Sequence, residues 1–143
     1  MNVFDTLKIS ASALTAQRQR LNVISSNMAN VETTRTPEGG PYRKREAVLG
    51  SRALDFGDQL DLALKDSVRG VNVATVKTST DPPLLIFDPG HPDANGEGYV
   101  AKPNINLVEE MTEMMSATRA YEANVTVIKS AKRMALKALE IGR

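Results

Sequence analysis

Two long stretches at opposite ends of the chain carry a seven-residue hydrophobic repeat, and the segment between them does not. In the first, residues 2–31, Leu7, Leu14, Leu21 and Met28 recur every seven positions. Phe4 and Ala11 supply companion positions, while Ile24 and Val31 widen the stripe toward its end. This spacing predicts an amphipathic helix with heptad character. A helix of about 28 residues would be roughly 42 Å long. The stripe is imperfect, because Arg18 and Ser25 sit at companion positions. In the last stretch, from Asn104 to Gly142, no proline occurs and no glycine interrupts. Leu107, Met114, Tyr121, Ile128 and Ala135 form one seven-residue series. Met111, Val125 and Leu139 belong to a partner series that Thr118 and Lys132 interrupt. Interleaved, the two series have the spacing of a coiled-coil seam. Asn104 or Asn106 is placed to cap this helix, with Glu109 and Glu110 in the first turns, where the helix dipole favours acids. Lys129, Lys132, Arg133 and Lys137 lie toward the far end, where it favours cations, and Gly142 can close the helix.

The middle of the chain reads differently. Residues 32–103 hold all 7 prolines and all but one of the 9 glycines. "TRTPEGGPY" (34–42) is a turn cluster that stops a helix. "GVNVATV" and "PLLIF" predict strands over 71–76 and 84–87, and 42–49 can supply another. "DPGHPDANGEG" is loop by composition. "ALDFGDQLDLALKDSVRG" stays ambiguous: Leu60, Leu62 and Leu64 alternate as in a strand, whereas Phe56, Leu60 and Leu64 step by four as in a helix.

The layout is therefore helix, β-rich middle, helix, an α+β fold. The two stripes each need a partner, and the simplest partner is the other stripe. We expect the terminal helices to pair as an antiparallel, coiled-coil-like hairpin over 1–33 and 104–143, with 34–103 forming a small β-rich, loop-rich segment. Ala117, Ala120, Ala131, Met134, Ala138 and Ile141 extend the apolar surface beyond one narrow seam. That surplus points to further helices from other subunits. Aromatic residues make up only 4% of the chain and Trp is missing, so the core must be thin or be completed by another chain.

Charge and candidate chemistry add mainly exclusions. Lys and Arg number 18 against 17 Asp and Glu, a net charge of +1 that leaves no electrostatic footprint for nucleic acid. Cys is absent, so neither a disulfide nor a reactive thiol enters. "MNVFDTLKISASAL" lacks the basic segment and apolar run of a Sec-type signal peptide, and no window suits a membrane span. The lone His91, near Asp88 and Asp93, reads as a proline-locked turn rather than a metal site. "DANGE" lacks the spacing of a calcium loop. Glu109 and Glu113 share a helix face without the histidine of a di-metal bundle and read as a solvated acidic face. Met111, Met114 and Met115 read as adaptable packing. Ser25 and Ser26 have no activating partner, and "EGGP" does not lead into a helix as a phosphate loop must. The basic run "YRKRE" reads as an edge facing acidic neighbours. No catalytic residue, cofactor or metal is expected.

One stretch needs its own explanation. "NVISSNMAN" sets Asn22, Ser25, Ser26, Asn27 and Asn30 among apolar residues, although Ser and Asn are mediocre helix formers. We read it as a junction where the chain leaves a helical layer. Asn27 and Asn30 are expected to satisfy groups that assembly buries, so that their loss is felt in assembly and hardly in the lone chain.

These residues also resemble a family. "SALTAQRQRLNVISSNMANVETTRTPEGGPYRKRE" resembles the N-terminal signature of bacterial flagellar rod and hook axial proteins, with its Ser-Ala-Leu, Asn-Met-Ala-Asn and following Tyr-Arg. "TTRTPEGGPYRKRE" departs from the commoner Thr-Pro-Gly-Tyr form in a way typical of a proximal rod member. "DPGHPDA" is similar to that member's loop, with Phe87 in front where Tyr is usual. "GYVAKPNINLVEEMTEMMSATRAYEANVTVIKSAKRMALKALEIG" resembles its C-terminal segment throughout. The likeness spans the chain, is firmest at both ends and is weak over 51–69. It implies a structural subunit of the proximal rod, with the terminal helices in an inner tube layer and the middle segment outward. It also implies partners: copies of itself, the other proximal and distal rod subunits, and the protein joining rod to membrane ring. Export through the flagellar type III apparatus, without a cleaved signal, into a periplasm-spanning, torque-transmitting shaft is implied as well. The expected assembly residues are the stripe and junction positions Leu7, Leu14, Leu21, Ile24, Asn27, Met28, Asn30, Leu107, Met111, Met114, Tyr121, Val125, Ile128 and Leu139. The residues alone leave two rivals: a coiled-coil adaptor that forms no tube, and a hydrolase or metal enzyme.

Overall fold

The computed structural model describes residues 3–51 and 69–141. Its elements run α1 (Val3–Ala29), β1 (Arg45–Ser51), β2 (Val71–Thr78), β3 (Leu84–Phe87), β4 (Tyr99–Lys102) and α2 (Leu107–Ile141). The ambiguous stretch that begins at Ala53 falls almost entirely outside the described residues. So do the expected closing role of Gly142 and the expected side-chain positions of Phe4 and Ile141.

α1 is a continuous helix of 27 residues with Asp5 in its first turn, where the dipole favours an acid. It stops where the Asn and Thr residues begin. The Asn30 backbone N–H reaches Ser26 O at 3.1 Å, and its side-chain Nδ2 donates to the same carbonyl at 2.8 Å. Asn30 thus covers an orphan carbonyl of the last turn. The following loop folds back at Gly39 and Gly40, whose φ values of 89° and 75° suit residues without a Cβ. It closes on itself through Tyr42 N–H donating to Thr33 O at 3.0 Å, and returns to α1 through Tyr42 O–H donating to Asn27 Oδ1 at 3.2 Å.

α2, with 35 residues, begins as expected at an asparagine cap. Asn106 Oδ1 accepts from the N–H groups of Val108 (3.0 Å) and Glu109 (3.4 Å).

The strands form two antiparallel pairs. β1 pairs β2 from Arg45↔Thr78 to Ser51↔Val71, with a register shift between Val48 and Leu49. β3 pairs β4 from Leu84↔Lys102 to Phe87↔Tyr99. The strands predicted over 71–76, 84–87 and near 42–49 are present. β4 is not foreseeable from its four residues and exists because "LLIF" supplies its partner. Gly98 makes the turn into β4 at φ 82°, where an added Cβ would lie 3.0 Å from Phe87 Cε2.

α1 packs against α2 and against both strands of the first sheet. No such packing joins β3 or β4 to a helix or to the first sheet among the described residues. Val100 of that hairpin is nevertheless buried, and polar links tether it too: Lys102 pairs with Glu32, and Thr34 Oγ1 donates to Asp93 Oδ2 at 2.7 Å. The buried apolar residues are Ala16, Ile24, Tyr42, Val100, Ile105, Ala117 and Ala131 among those described. Three of them are alanines, so the core is thin.

Candidate assembly surface

The face that α1 and α2 turn to each other is built from small and polar residues. On α1 the buried residues are Ser10, Ala16, Ile24 and Asn27, on a helix that packs against both α2 and the first sheet, and Asn27 and Arg20 make its polar contacts with α2. On α2 the face runs through Glu110, Ala117 and Ala131, all 1% exposed. Alanine lets two helix backbones approach closely, and this moves the seam off the leucine stripes. Leu7, Leu14, Leu21 and Met28 flank it, half-buried. So do Met114, Val125 and Ile128. Leu107, Met111, Tyr121 and Leu139 stay exposed, Leu139 at 71%. Of the expected stripe and junction residues, only Ile24 and Asn27 lie at the centre of the intrachain seam.

Asn27 is the hub of a buried polar node. Its Nδ2 donates to Glu110 Oε2 at 2.9 Å and to Arg45 O at 2.8 Å. Its Oδ1 accepts from Arg45 N–H at 2.9 Å and from Tyr42 O–H at 3.2 Å. Two donors and two lone pairs are the full capacity of an amide, and all are used. The node joins α1, the start of β1 and α2. These partners belong to the same chain, so the node is complete before any neighbour joins it. Asn30, half-buried, acts differently, capping Ser26 O and accepting from Thr33 Oγ1 at 3.1 Å.

Glu110 is a carboxylate removed from water, and such a group requires compensation. Beside the Asn27 amide it has Lys44, whose Nζ lies 2.9 Å from Oε1. Burial by itself would lower the Lys44 pKa. The hydrogen bond and charge of Glu110, with Glu109 and Glu113 behind it, outweigh burial and hold the ammonium above its ordinary value. Glu109 lies 3.7 Å from the same Nζ, and Glu113 pairs with Arg20 of α1 at 3.3 Å. The acidic face read as solvated is therefore half engaged, and within the basic run Lys44 faces acids. Glu110 itself was missed. Its signal was present, because Glu110, Ala117, Asn124 and Ala131 are spaced by seven, but that series carries no large apolar residue to draw attention.

The exposed large apolar side chains lie elsewhere. On α2 they include Val108, Met111, Met115, Met134, Leu136 and Leu139. On β3 all four residues of "LLIF" are exposed. His91 is occupied locally, its Nδ1 accepting from the Asp93 N–H at 3.1 Å. No described helix is long and apolar enough to cross a membrane.

Two family profiles match the ends of the chain. One, for flagella basal body rod proteins, covers residues 7–35. The other, for the C-terminal part of flagellar basal body rod FlgEFG proteins, covers residues 97–141. Both halves of the Asn27–Glu110 contact fall inside them. Along its whole length the chain is similar to proteins named flagellar basal-body rod protein FlgC. The one from Borreliella burgdorferi is 45% identical, with 99% of this chain and 98% of that protein covered. The one from Bacillus subtilis is 45% identical with all of both chains covered. The one from Salmonella typhimurium is 42% identical over 100% of this chain and 98% of its own.

Proposed function

Because this chain belongs to the FlgC family of flagellar basal-body rod proteins, and so is a structural subunit of the rod, we propose how it builds that rod: its two end helices pair and enter a shared inner layer at the proximal end. The single observation that carries this reading is the exposed apolar surface of α2. Leu139 at 71%, Met134 at 61% and Met115 at 56% stand open in a chain whose own seam is largely alanine. A lone soluble helix pair has no use for such a face, whereas neighbouring helices cover it.

The pairing is antiparallel and coiled-coil-like in this reading. Arg20 meets Glu113 and Asn27 meets Glu110, so an advance along α1 is a retreat along α2. Residues 1–33 and 104–143 form the inner unit, and 34–103 face outward. The half-buried and exposed stripe residues, from Leu7 to Leu139, meet unlike faces of neighbouring subunits. Heterologous contacts of that kind propagate an open helical array rather than a closed dimer.

The partners are copies of this chain, the other proximal and distal rod subunits, and the protein that joins rod to membrane ring. The chain reaches the periplasm through the flagellar type III apparatus without losing a signal peptide. There it transmits torque within the shaft and performs no catalysis. Deleting its gene tests the proposal: cells should complete the membrane ring but build no rod beyond it. A rod of normal length in the deletion strain would favour the adaptor reading, as would failure of the purified chain to enter tubes with other rod proteins.

A further inference from the structure

We propose that Asn27 and Glu110 form a register key, which admits one sliding position of α1 against α2 and selects it rather than stabilising the pair. The inference rests on the antiparallel helix pair proposed above.

The need for a key follows from the seam. Ala16, Ala117 and Ala131 are its best-buried apolar residues besides Ile24. Large knobs fix register in a coiled coil by filling particular holes, and alanine cannot do so. Apart from Ile24 the buried seam residues are small, so within the seam itself a slip of one heptad meets little resistance from packing. The charged rim does not prevent it either. If α1 slides by seven toward its own C-terminus, Arg20 arrives opposite Glu110, still an ion pair. Asn27 is what cannot slip. In the observed register its amide is fully satisfied by Glu110, Tyr42 and the Arg45 backbone. One heptad away in either direction Asn27 loses Glu110, and its buried Nδ2 is left short of an acceptor whatever takes its place beside the carboxylate. A single buried polar residue that specifies register at some cost in stability is the best-attested role for such groups. Here the key has a third tooth. Lys44 reaches the other carboxylate oxygen from the segment leading into β1, so the same contact fixes where the outward segment leaves the helix pair.

Spin-label distance measurements on the full chain test this. The chain has no Cys, so Ala11→Cys and Thr112→Cys, both at exposed positions, carry the only labels. The parent should give one narrow distance. Asn27→Leu with Glu110→Leu should keep its helix content and add a second population, displaced along the axis by about 10 Å for one heptad. Glu110→Gln, which keeps an acceptor for Asn27, should return the single distance. A broad distribution in the parent would overturn the helix pairing and the key with it. A narrow parent distance that the double Leu variant leaves unchanged would overturn the key alone. Loss of helix content in the double variant, or slippage in Glu110→Gln equal to it, would also overturn the key, making the node a source of stability or of charge pairing.

Discussion

Replacing Asn27 by Ala should destabilise the lone chain, although Ala is the better helix former. The substitution removes four hydrogen bonds at a residue 1% exposed. Not all four count equally. Tyr42 O–H can turn to Ser26 Oγ, already 3.3 Å away, and Arg45 lies at an exposed strand end where water can serve its backbone. Glu110 keeps Lys44 on one oxygen but loses the amide on the other. A hydrogen bond to a buried charged group is worth about 1.5–3 kcal/mol, and each neutral group left unpaired adds about 1 kcal/mol. The gain in helix propensity offsets at most about 0.7 kcal/mol. The net loss is about 2–3 kcal/mol, or roughly 7–10 °C in Tm for a chain of this size. Asn30→Ala sits at a wetter helix end and should cost no more than about 0.5–1 kcal/mol. Urea and thermal unfolding of the purified chain, followed by far-UV circular dichroism, measure both. If Asn27→Ala lies within 0.5 kcal/mol of the parent, or matches Asn30→Ala, losing the amide does not strand the Glu110 carboxylate. A defect seen only in rod assembly would lead to the same conclusion.

Other outcomes follow from the same contacts. Lys44 has a folded pKa above its ordinary 10.5, so its contribution is intact below about pH 10.5 and fades as pH climbs through the raised value. The stability difference between the parent and Lys44→Met should therefore be flat through neutral pH and shrink in strong alkali. Leu21→Asp or Val125→Asp should abolish rod formation while the β-rich middle stays folded, because an assembled layer would bury an unpaired charge; normal motility in either strain would argue against the stripe as an interface. Gly98→Ala should loosen the β3–β4 hairpin by about 1–2 kcal/mol, from the left-handed backbone and the close Phe87 ring together. Amide exchange along α2 in the lone chain should be slowest around Glu110–Ala117 and fastest beyond Met134, where the side chains stand open.

Much of this architecture was legible in the chain, and what escaped did so for identifiable reasons. The end helices show because a repeat of seven over about thirty residues leaves few alternatives, and the proline-rich middle bounds them. β3 shows because "LLIF" is a short apolar run that follows two prolines. β4 does not, because "YVAK" acquires strand geometry only from its pairing partner. The seam escaped for a subtler reason. Hydrophobic periodicity detects large residues, and here they border the contact while Ala16, Ala117 and Ala131 occupy its centre. Asn27 was recognised as a junction, since an asparagine between apolar neighbours needs a purpose. Its partners were not, because Glu110 lies 83 residues away and Arg45 contributes only backbone atoms.

That division between centre and border bears on how one chain can be both an independent subunit and a building block. A seam of alanines buries little area, and at about 25 cal/mol per Å² a small apolar contact contributes little stability. The leucines and methionines left outside it are where the larger gain lies: each further 100 Å² covered by a neighbour adds about 2.5 kcal/mol. A few such contacts outweigh the polar node in energy. They do not replace it in geometry, because an apolar face accepts many partners and many offsets. The Asn27–Glu110–Lys44 contact supplies the missing constraint, tying α1, α2 and the exit toward β1 at one point. Assembly energy and subunit shape are then set by different residues. A substitution on the outer stripe should weaken the rod without altering the fold of its subunit, whereas one at the node should alter the subunit before any rod is made.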